Sequence, residues 1–146
     1  MAKVLIVDDE PFTVEMLETF LRMSGYETVG ALSGEDGIVL SQIESPDLLI
    51  LDLMLPDLEG YEVCRRLRTL APTAALPVLI LSARVAQVDR DKARDAGANG
   101  YLTKPVQFPA LLSELSRLLQ PSSGPDATAA SNGSSTPGSE PRAETP

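Results

Sequence analysis

Lys3-Val4-Leu5-Ile6-Val7-Asp8-Asp9-Glu10 decides how the chain is read. Four consecutive apolar residues with no polar alternation are too few for a helix and suit a strand covered on both faces. The run then stops at three consecutive acids. Comparable runs follow at Glu27–Ala31, Leu48–Leu51, 78–81 and 100–102, and segments of helical period lie between them. The first helix is expected to start near Pro11 and stop before Gly25, with Phe12, Met16, Leu17, Phe20 and Leu21 as its apolar stripe. A second opens at Ser33, an N-cap candidate with Asp36 three residues on, and runs to about Ile43. Val63, Cys64 and Leu67 mark a third. The segment 85–96, ended by Gly97, reads as a fourth and is polar enough to be only partly buried. Phe108, Leu111, Leu112, Leu115, Leu118 and Leu119 give a fifth its core face. Alternating strands and helices predict an α/β fold with a parallel sheet. Five such units in about 120 residues fit a doubly wound open sheet, because a barrel needs about 250.

Composition changes near Gln120. Residues 121–146 contain no Val, Ile, Leu, Met, Phe, Tyr or Cys, and Pro, Ser, Gly and Thr supply 17 of these 26 positions. Such a segment cannot bury enough apolar surface to offset its ordering entropy, so it is expected to be a disordered tail behind a folded domain over 1–120. The folded part carries 11 basic and 18 acidic groups, most of the net charge of -9. With no histidine, the chain supplies no His base, His metal ligand or phosphohistidine of its own. Cys64 is the one cysteine and cannot form an internal disulfide, so a cytoplasmic location is expected. An acidic chain without a basic cluster argues against nucleic-acid binding. No apolar run approaches the ~18 residues of a membrane span, and the amino terminus is too short for a signal peptide.

In an open α/β sheet, ligands collect beyond the carboxyl ends of the strands. Strand one ends in Asp8-Asp9-Glu10, strand three in Asp52 and strand four in Ser82, while Thr103, Lys104 and Pro105 follow strand five. Adjacent strands would bring Asp8, Asp9 and Asp52 to one edge, with Ser82 and Lys104 beside them. Carboxylates gathered this closely repel one another, which calls for protonation or a cation. Oxygen-only ligands favour a hard ion, and Mg²⁺ is the natural choice. A carboxylate, a divalent cation, a hydroxyl and a lysine together suit phosphoryl transfer to an aspartate. Each piece also has a plainer reading. Asp-Asp after a strand is commonly a solvated turn, Asp52 a loop acid, Ser82 a helix cap and Lys104 a surface lysine.

Over residues 3–120 the sequence resembles the receiver domain of bacterial two-component response regulators. The resemblance rests on Val4-Leu5-Ile6-Val7-Asp8-Asp9-Glu10, Pro46-Asp47-Leu48 leading to Asp52, Met54-Leu55-Pro56 with Gly60, Leu81-Ser82-Ala83, Gly97-Ala98 and Tyr101-Leu102-Thr103-Lys104-Pro105. It implies a flavodoxin-like sheet of order 2-1-3-4-5 with five helices. By the resemblance Asp52 is the phosphoacceptor, and Asp8 and Asp9 bind Mg²⁺ with Asp52 and the backbone carbonyl of Met54. Ser82 is the switch hydroxyl, Lys104 the counter-ion of the phosphoryl group and Tyr101 the aromatic that follows Ser82 inward. A cis peptide before Pro105 would aim Lys104 into the site. Tyr101 also has the simpler reading of an interfacial aromatic that merely packs.

The expected donor is a sensor histidine kinase or a histidine phosphotransfer protein, and the expected output is contact with a downstream protein target. That output face would be helix four, strand five and helix five, with Arg90, Lys92, Arg94, Tyr101 and Phe108. Residues 121–146 cannot form a DNA-binding or catalytic domain, so signalling is expected to pass through protein contact, by a monomer or weak homodimer. Apart from Mg²⁺-dependent self-phosphorylation and slow self-dephosphorylation, no enzyme activity is expected. In the family that the sequence resembles, the positions two residues beyond the phosphoacceptor and the switch hydroxyl tune dephosphorylation; here they are Met54 and Arg84, which offer no carboxylate or amide to orient attacking water, so the resemblance implies a long-lived acyl phosphate. Two other classes compete. A phosphatase of the haloacid dehalogenase type would need an Asp where Met54 stands, and a plain interaction module would bind no phosphate. A receiver module of a larger regulator is the remaining alternative.

Overall fold

A computed structural model of the chain describes residues 1–120, and the expected disordered tail at 121–146 lies outside the described residues. Five strands, β1 (Lys3–Val7), β2 (Glu27–Ala31), β3 (Leu48–Leu51), β4 (Val78–Ser82) and β5 (Gly100–Thr103), alternate with five helices. The helices are α1 (Pro11–Met23), α2 (Gly34–Ile43), α3 (Gly60–Arg68), α4 (Gln87–Asp95) and α5 (Phe108–Leu119), with one 3₁₀ turn at Ala71–Thr73. All strand pairs are parallel and the sheet order is β2-β1-β3-β4-β5. No described helix is long and apolar enough to cross a membrane.

The apolar runs form strands because side chains from both faces of the sheet find cover. Val4, Ile6, Leu48, Ile50, Leu79 and Leu81 point to one face and pack with Leu17, Leu21, Leu111 and Leu115 of α1 and α5. Leu5, Val7, Leu49, Leu51, Val78 and Ile80 point to the other, toward Ile38, Val63, Leu67 and Ala93 of α2, α3 and α4. The period-two alternation of strand side chains thus divides one sheet between two cores.

Several local expectations are refined. β4 and β5 each run one residue further than expected, so Ser82 and Thr103 are strand residues paired with each other. The Lys104 N–H donates to the Ser82 carbonyl at 2.8 Å, which extends the pairing. Within α1 the buried line is Val14, Leu17 and Leu21, while Phe12 is 73% exposed. At 100° per residue Phe12 lies about 140° around the helix from Leu17, away from the sheet. Phe108, expected on the output face, stacks on Phe20 with ring centroids 3.9 Å apart, so it faces α1. α4 begins at Gln87 with Ala86 at its N-cap position, which removes Ser82 as a helix cap.

The start of α2 is closed more fully than Ser33 alone predicted. Ser33 Oγ accepts from the Asp36 N–H at 3.2 Å, as expected. The Asp57 carboxylate, in the loop after β3, takes the two preceding donors, Gly34 N–H at 2.8 Å and Glu35 N–H at 2.9 Å. A negative charge on the first free N–H groups of a helix also complements its dipole. These donors hold the Asp57 carboxyl below the usual carboxylate range, the Glu35 and Gly34 N–H groups contributing most.

Candidate functional site

The switch in connection direction between β1 and β3 leaves a crevice at the carboxyl ends of the strands, and the acids stand there. Asp8, Asp9 and Asp52 each bring a carboxylate oxygen within 4.8 Å of the others. Asp8 and Asp52 are 3% and 4% exposed, Asp9 is exposed, and Ser82 at the end of β4 is fully buried. Asp8 Oδ1 accepts from the Glu10 N–H at 2.9 Å, and Asp52 Oδ1 from the Met54 N–H at 3.3 Å. Each carboxylate thereby bonds the backbone two residues on, which fixes its orientation before any ligand arrives.

Lys104 closes the site from β5. Its Nζ donates to Asp8 Oδ2 at 2.8 Å and to Asp52 Oδ2 at 3.2 Å. Burial alone would lower the ammonium pKa, but the Asp8 hydrogen bond and the charges of Asp52 and Asp8 outweigh it and raise the value. Lys104 therefore stays cationic. The Lys104–Pro105 peptide is cis.

Three carboxylates against one ammonium leave a formal charge of about -2 in a partly buried pocket. Two carboxylates 4 Å apart repel by about 4 kcal/mol at an effective dielectric of 20, so one shared ammonium does not balance the cluster. The oxygen-only donor set, its spacing and its residual charge fit a divalent hard cation such as Mg²⁺.

Behind the acids lies a second layer that reaches the surface. The Ser82 hydroxyl accepts from the Arg84 N–H at 3.3 Å, and the Arg84 carbonyl accepts the Tyr101 hydroxyl at 2.8 Å. Tyr101 is half-buried on β5, and the Arg90 guanidinium lies 4.7 Å from its ring centre. Tyr61, at the start of α3, donates to Asp89 of α4 at 2.9 Å. The Arg84 guanidinium lies 3.6 Å from the same Asp89 carboxylate. Burial raises the pKa of both Tyr hydroxyls, with Asp89 adding to the effect, so both remain protonated donors near neutral pH.

The expected residues Asp8, Asp9, Asp52, Ser82 and Lys104 gather at the carboxyl end of the sheet, with Met54 two residues beyond Asp52 and Tyr101 one layer behind. Sequence reasoning missed Tyr61, Asp89 and the close approach of Gly60 to the end of β3. A Cβ there would stand 2.5 Å from the Asp52 carbonyl oxygen.

A family model described as the response regulator receiver domain matches residues 4–133. The chain belongs to that family. As a receiver it is 36% identical over 119 residues to Protein PilH of Pseudomonas aeruginosa, covering 82% of this chain and 98% of that protein. It is 40% identical over 120 residues to the DNA-binding dual master transcriptional regulator RpaA of Synechocystis, covering 82% of this chain and 50% of RpaA. The receiver thus spans half the length of one relative and nearly all of the other. Among solved structures it resembles the receiver domain of the sensor histidine kinase PA1611 from Pseudomonas aeruginosa, with a TM-score of 0.75 and 30% identity. That match covers 81% of this chain and 97% of the other, and the PA1611 structure has a magnesium ion coordinated in its active site cleft. The receiver family places the chain in two-component signalling.

Proposed function

We propose that the receiver accepts a phosphoryl group on Asp52 from a phosphohistidine of a sensor histidine kinase or phosphotransfer protein. A carboxylate oxygen of Asp52 attacks phosphorus, the P–N bond to the donor imidazole breaks, and an acyl phosphate forms on Asp52. The observation that carries this reading is the ammonium of Lys104 held between Asp8 and Asp52, 2.8 and 3.2 Å away, beside a cluster of three carboxylates of which two are buried. In this reading Lys104 neutralises a phosphoryl oxygen, and Ser82, at the carboxyl end of β4, binds another. Asp8, Asp9, Asp52 and the Met54 carbonyl are the groups that would hold Mg²⁺, which when bound supplies neutralisation of the equatorial oxygens.

Phosphorylation adds roughly -1.5 to -2 of charge and three acceptor oxygens next to Ser82 and Lys104. Ser82 then leaves the Arg84 N–H for the phosphoryl group, and the Arg84 loop and Tyr101 readjust. The changed surface of α4 and β5 binds a downstream protein. The receiver itself acts in the cytoplasm, without nucleic acid or membrane, as a monomer or weak homodimer. Met54 and Arg84 place no carboxylate or amide on the attacking water, so the acyl phosphate is long-lived. The half coverage of RpaA supports a second reading, in which this receiver is the regulatory module of a longer regulator.

Incubation with phosphorylated kinases, phosphotransfer proteins and acetyl phosphate tests the assignment. Labelling of wild type and none of Asp52→Asn is expected. Failure of every donor on folded wild type refutes it.

A further inference from the structure

α4 is held to the sheet by very little apolar surface. Of its nine residues only Ala93 is buried, whereas α1 buries Val14, Leu17 and Leu21. One methyl group anchors a helix far less firmly than three branched side chains. Polar and aromatic contacts do most of the holding. Asp89, in the first turn, accepts the Tyr61 hydroxyl at 2.9 Å, and the Lys92 ammonium lies 4.6 Å from the Tyr61 ring centre. Arg90 lies over the ring of Tyr101. α4 therefore docks on two aromatic rings, Tyr61 of α3 and Tyr101 of β5.

Arg84 joins those two supports to the site. Its N–H donates to Ser82 Oγ, its carbonyl accepts from Tyr101, and its guanidinium shares Asp89 with Tyr61. Tyr61 is 1% exposed and sits among Leu53, Val63 and Leu67 in the core of that sheet face, so it cannot follow a loop movement. Arg84 and Tyr101 are only half-buried. A displacement of the Ser82–Arg84 segment thus acts on one side of α4 while Tyr61 holds the other.

We propose that Tyr61 is a positioning residue of the receiver's switch, the fixed point about which α4 turns, acting through Asp89 and Lys92. The inference rests on phosphorylation of Asp52 as proposed above. Packing alone requires the ring of Tyr61 but not its hydroxyl, which separates a structural role from this one.

Tyr61→Phe keeps the ring and its contact with Lys92 and deletes the hydroxyl, and Asp89→Asn removes the charge from the other partner. Amide hydrogen exchange across α4 and the affinity for beryllofluoride with Mg²⁺ are measured on the full chain. In Tyr61→Phe the α4 amides should exchange about tenfold faster, the scale of one lost hydrogen bond to a charged group, with α1 unchanged. Beryllofluoride affinity should shift threefold or more, although the Tyr61 hydroxyl bonds to α4 and not to the site, because coupling is reciprocal. Asp89→Asn should shift both quantities in the same direction, and the double variant should add little to either single. Unchanged affinity in both variants, whether or not α4 exchange rises, overturns the proposal while leaving the phosphoacceptor assignment standing. Absence of beryllofluoride binding by folded wild type would instead remove that assignment and the switch with it.

Discussion

Replacing Gly60 by alanine should damage both the stability and the chemistry of the receiver, for one geometric reason. A Cβ at Gly60 would lie 2.5 Å from the Asp52 carbonyl oxygen and 2.8 Å from Leu53 Cα, where ordinary contact begins at 3.4 Å. Both obstacles are backbone, held in place by the Asp52 N–H bond to the Val7 carbonyl and by the Gly60 N–H bond to the Leu53 carbonyl. Either α3 or the end of β3 must therefore move by nearly 1 Å. Overpacking of this kind costs about 1–3 kcal/mol, and the reduced freedom of the unfolded chain returns about 0.4–1 kcal/mol, which leaves a net loss of about 1–2 kcal/mol. With a urea slope of about 1–3 kcal/mol per molar, the unfolding midpoint should fall by about 0.5–1 M. The same displacement moves Asp52 relative to Lys104, and a misplacement near 1 Å lowers a positioned reaction by up to about 100-fold. Labelling by acetyl phosphate should drop by about tenfold or more. Gly34 is the control: the nearest atoms a Cβ there would meet are side-chain atoms of Val63 and Leu58, at 3.0 Å or more, so a shift of a few tenths of an ångström relieves them and no backbone is pressed below 3.0 Å. A Gly60→Ala protein with the wild-type midpoint and labelling rate, or one no worse than Gly34→Ala, refutes the reasoning.

Asp57→Ala should cost about 0.5–2 kcal/mol by opening the start of α2, read as a lower urea midpoint at neutral pH. Because the folded-state pKa of Asp57 is depressed, its contribution is present above the unfolded-state carboxylate pKa and is lost as pH falls through the folded value. The midpoints of wild type and variant should therefore converge in strong acid, and a constant gap would contradict the capping role. Lys104→Met removes the one ammonium bonded to Asp8 and Asp52, so added Mg²⁺ should raise its melting temperature more than that of wild type. An equal or smaller shift would show that the ion does not answer the charge of that cluster. Arg68→Ala deletes hydrogen bonds to the Gly97 and Thr73 carbonyls and to Asn99 Oδ1, and calorimetry should find a loss of about 1.5–3 kcal/mol.

What the sequence discloses and what it conceals follow the distance over which each feature is decided. The runs ending at Val7 and Leu51 are local, and so is the Ser33-to-Asp36 cap, so strands, helix start and the converging acids can all be read from neighbours in the chain. Phe12 fails because hydrophobicity alone does not say where a helix meets its sheet. At the start of α1 the stripe that counts runs through Val14, and Phe12 faces outward. Phe108 packs on the core face of α5 as its spacing suggests, and only its assignment to the output face misleads, since its partner Phe20 lies on a helix far away in sequence. Asp57 reaches back 23 residues to cap α2, and Tyr61 reaches forward 28 to hold α4. Neither contact leaves a spacing rule behind. Gly60 carries a faint signal, a glycine at the start of a helix where a better helix former would serve, but only the fold shows that Asp52 is what it makes room for.

The two cores separated by the sheet also bear on how such a domain diversifies. Among the described residues one contains α1 and α5, the other α2, α3 and α4, and the sheet lies between them. A substitution that reshapes the α1 and α5 side repacks against its own set of leucines and valines, and leaves Tyr61, Ala93 and their neighbours undisturbed. Mutations on opposite faces should accordingly combine with little epistasis. Recognition surfaces on the two sides can then drift at separate rates, while the strand ends between them keep the acids in register.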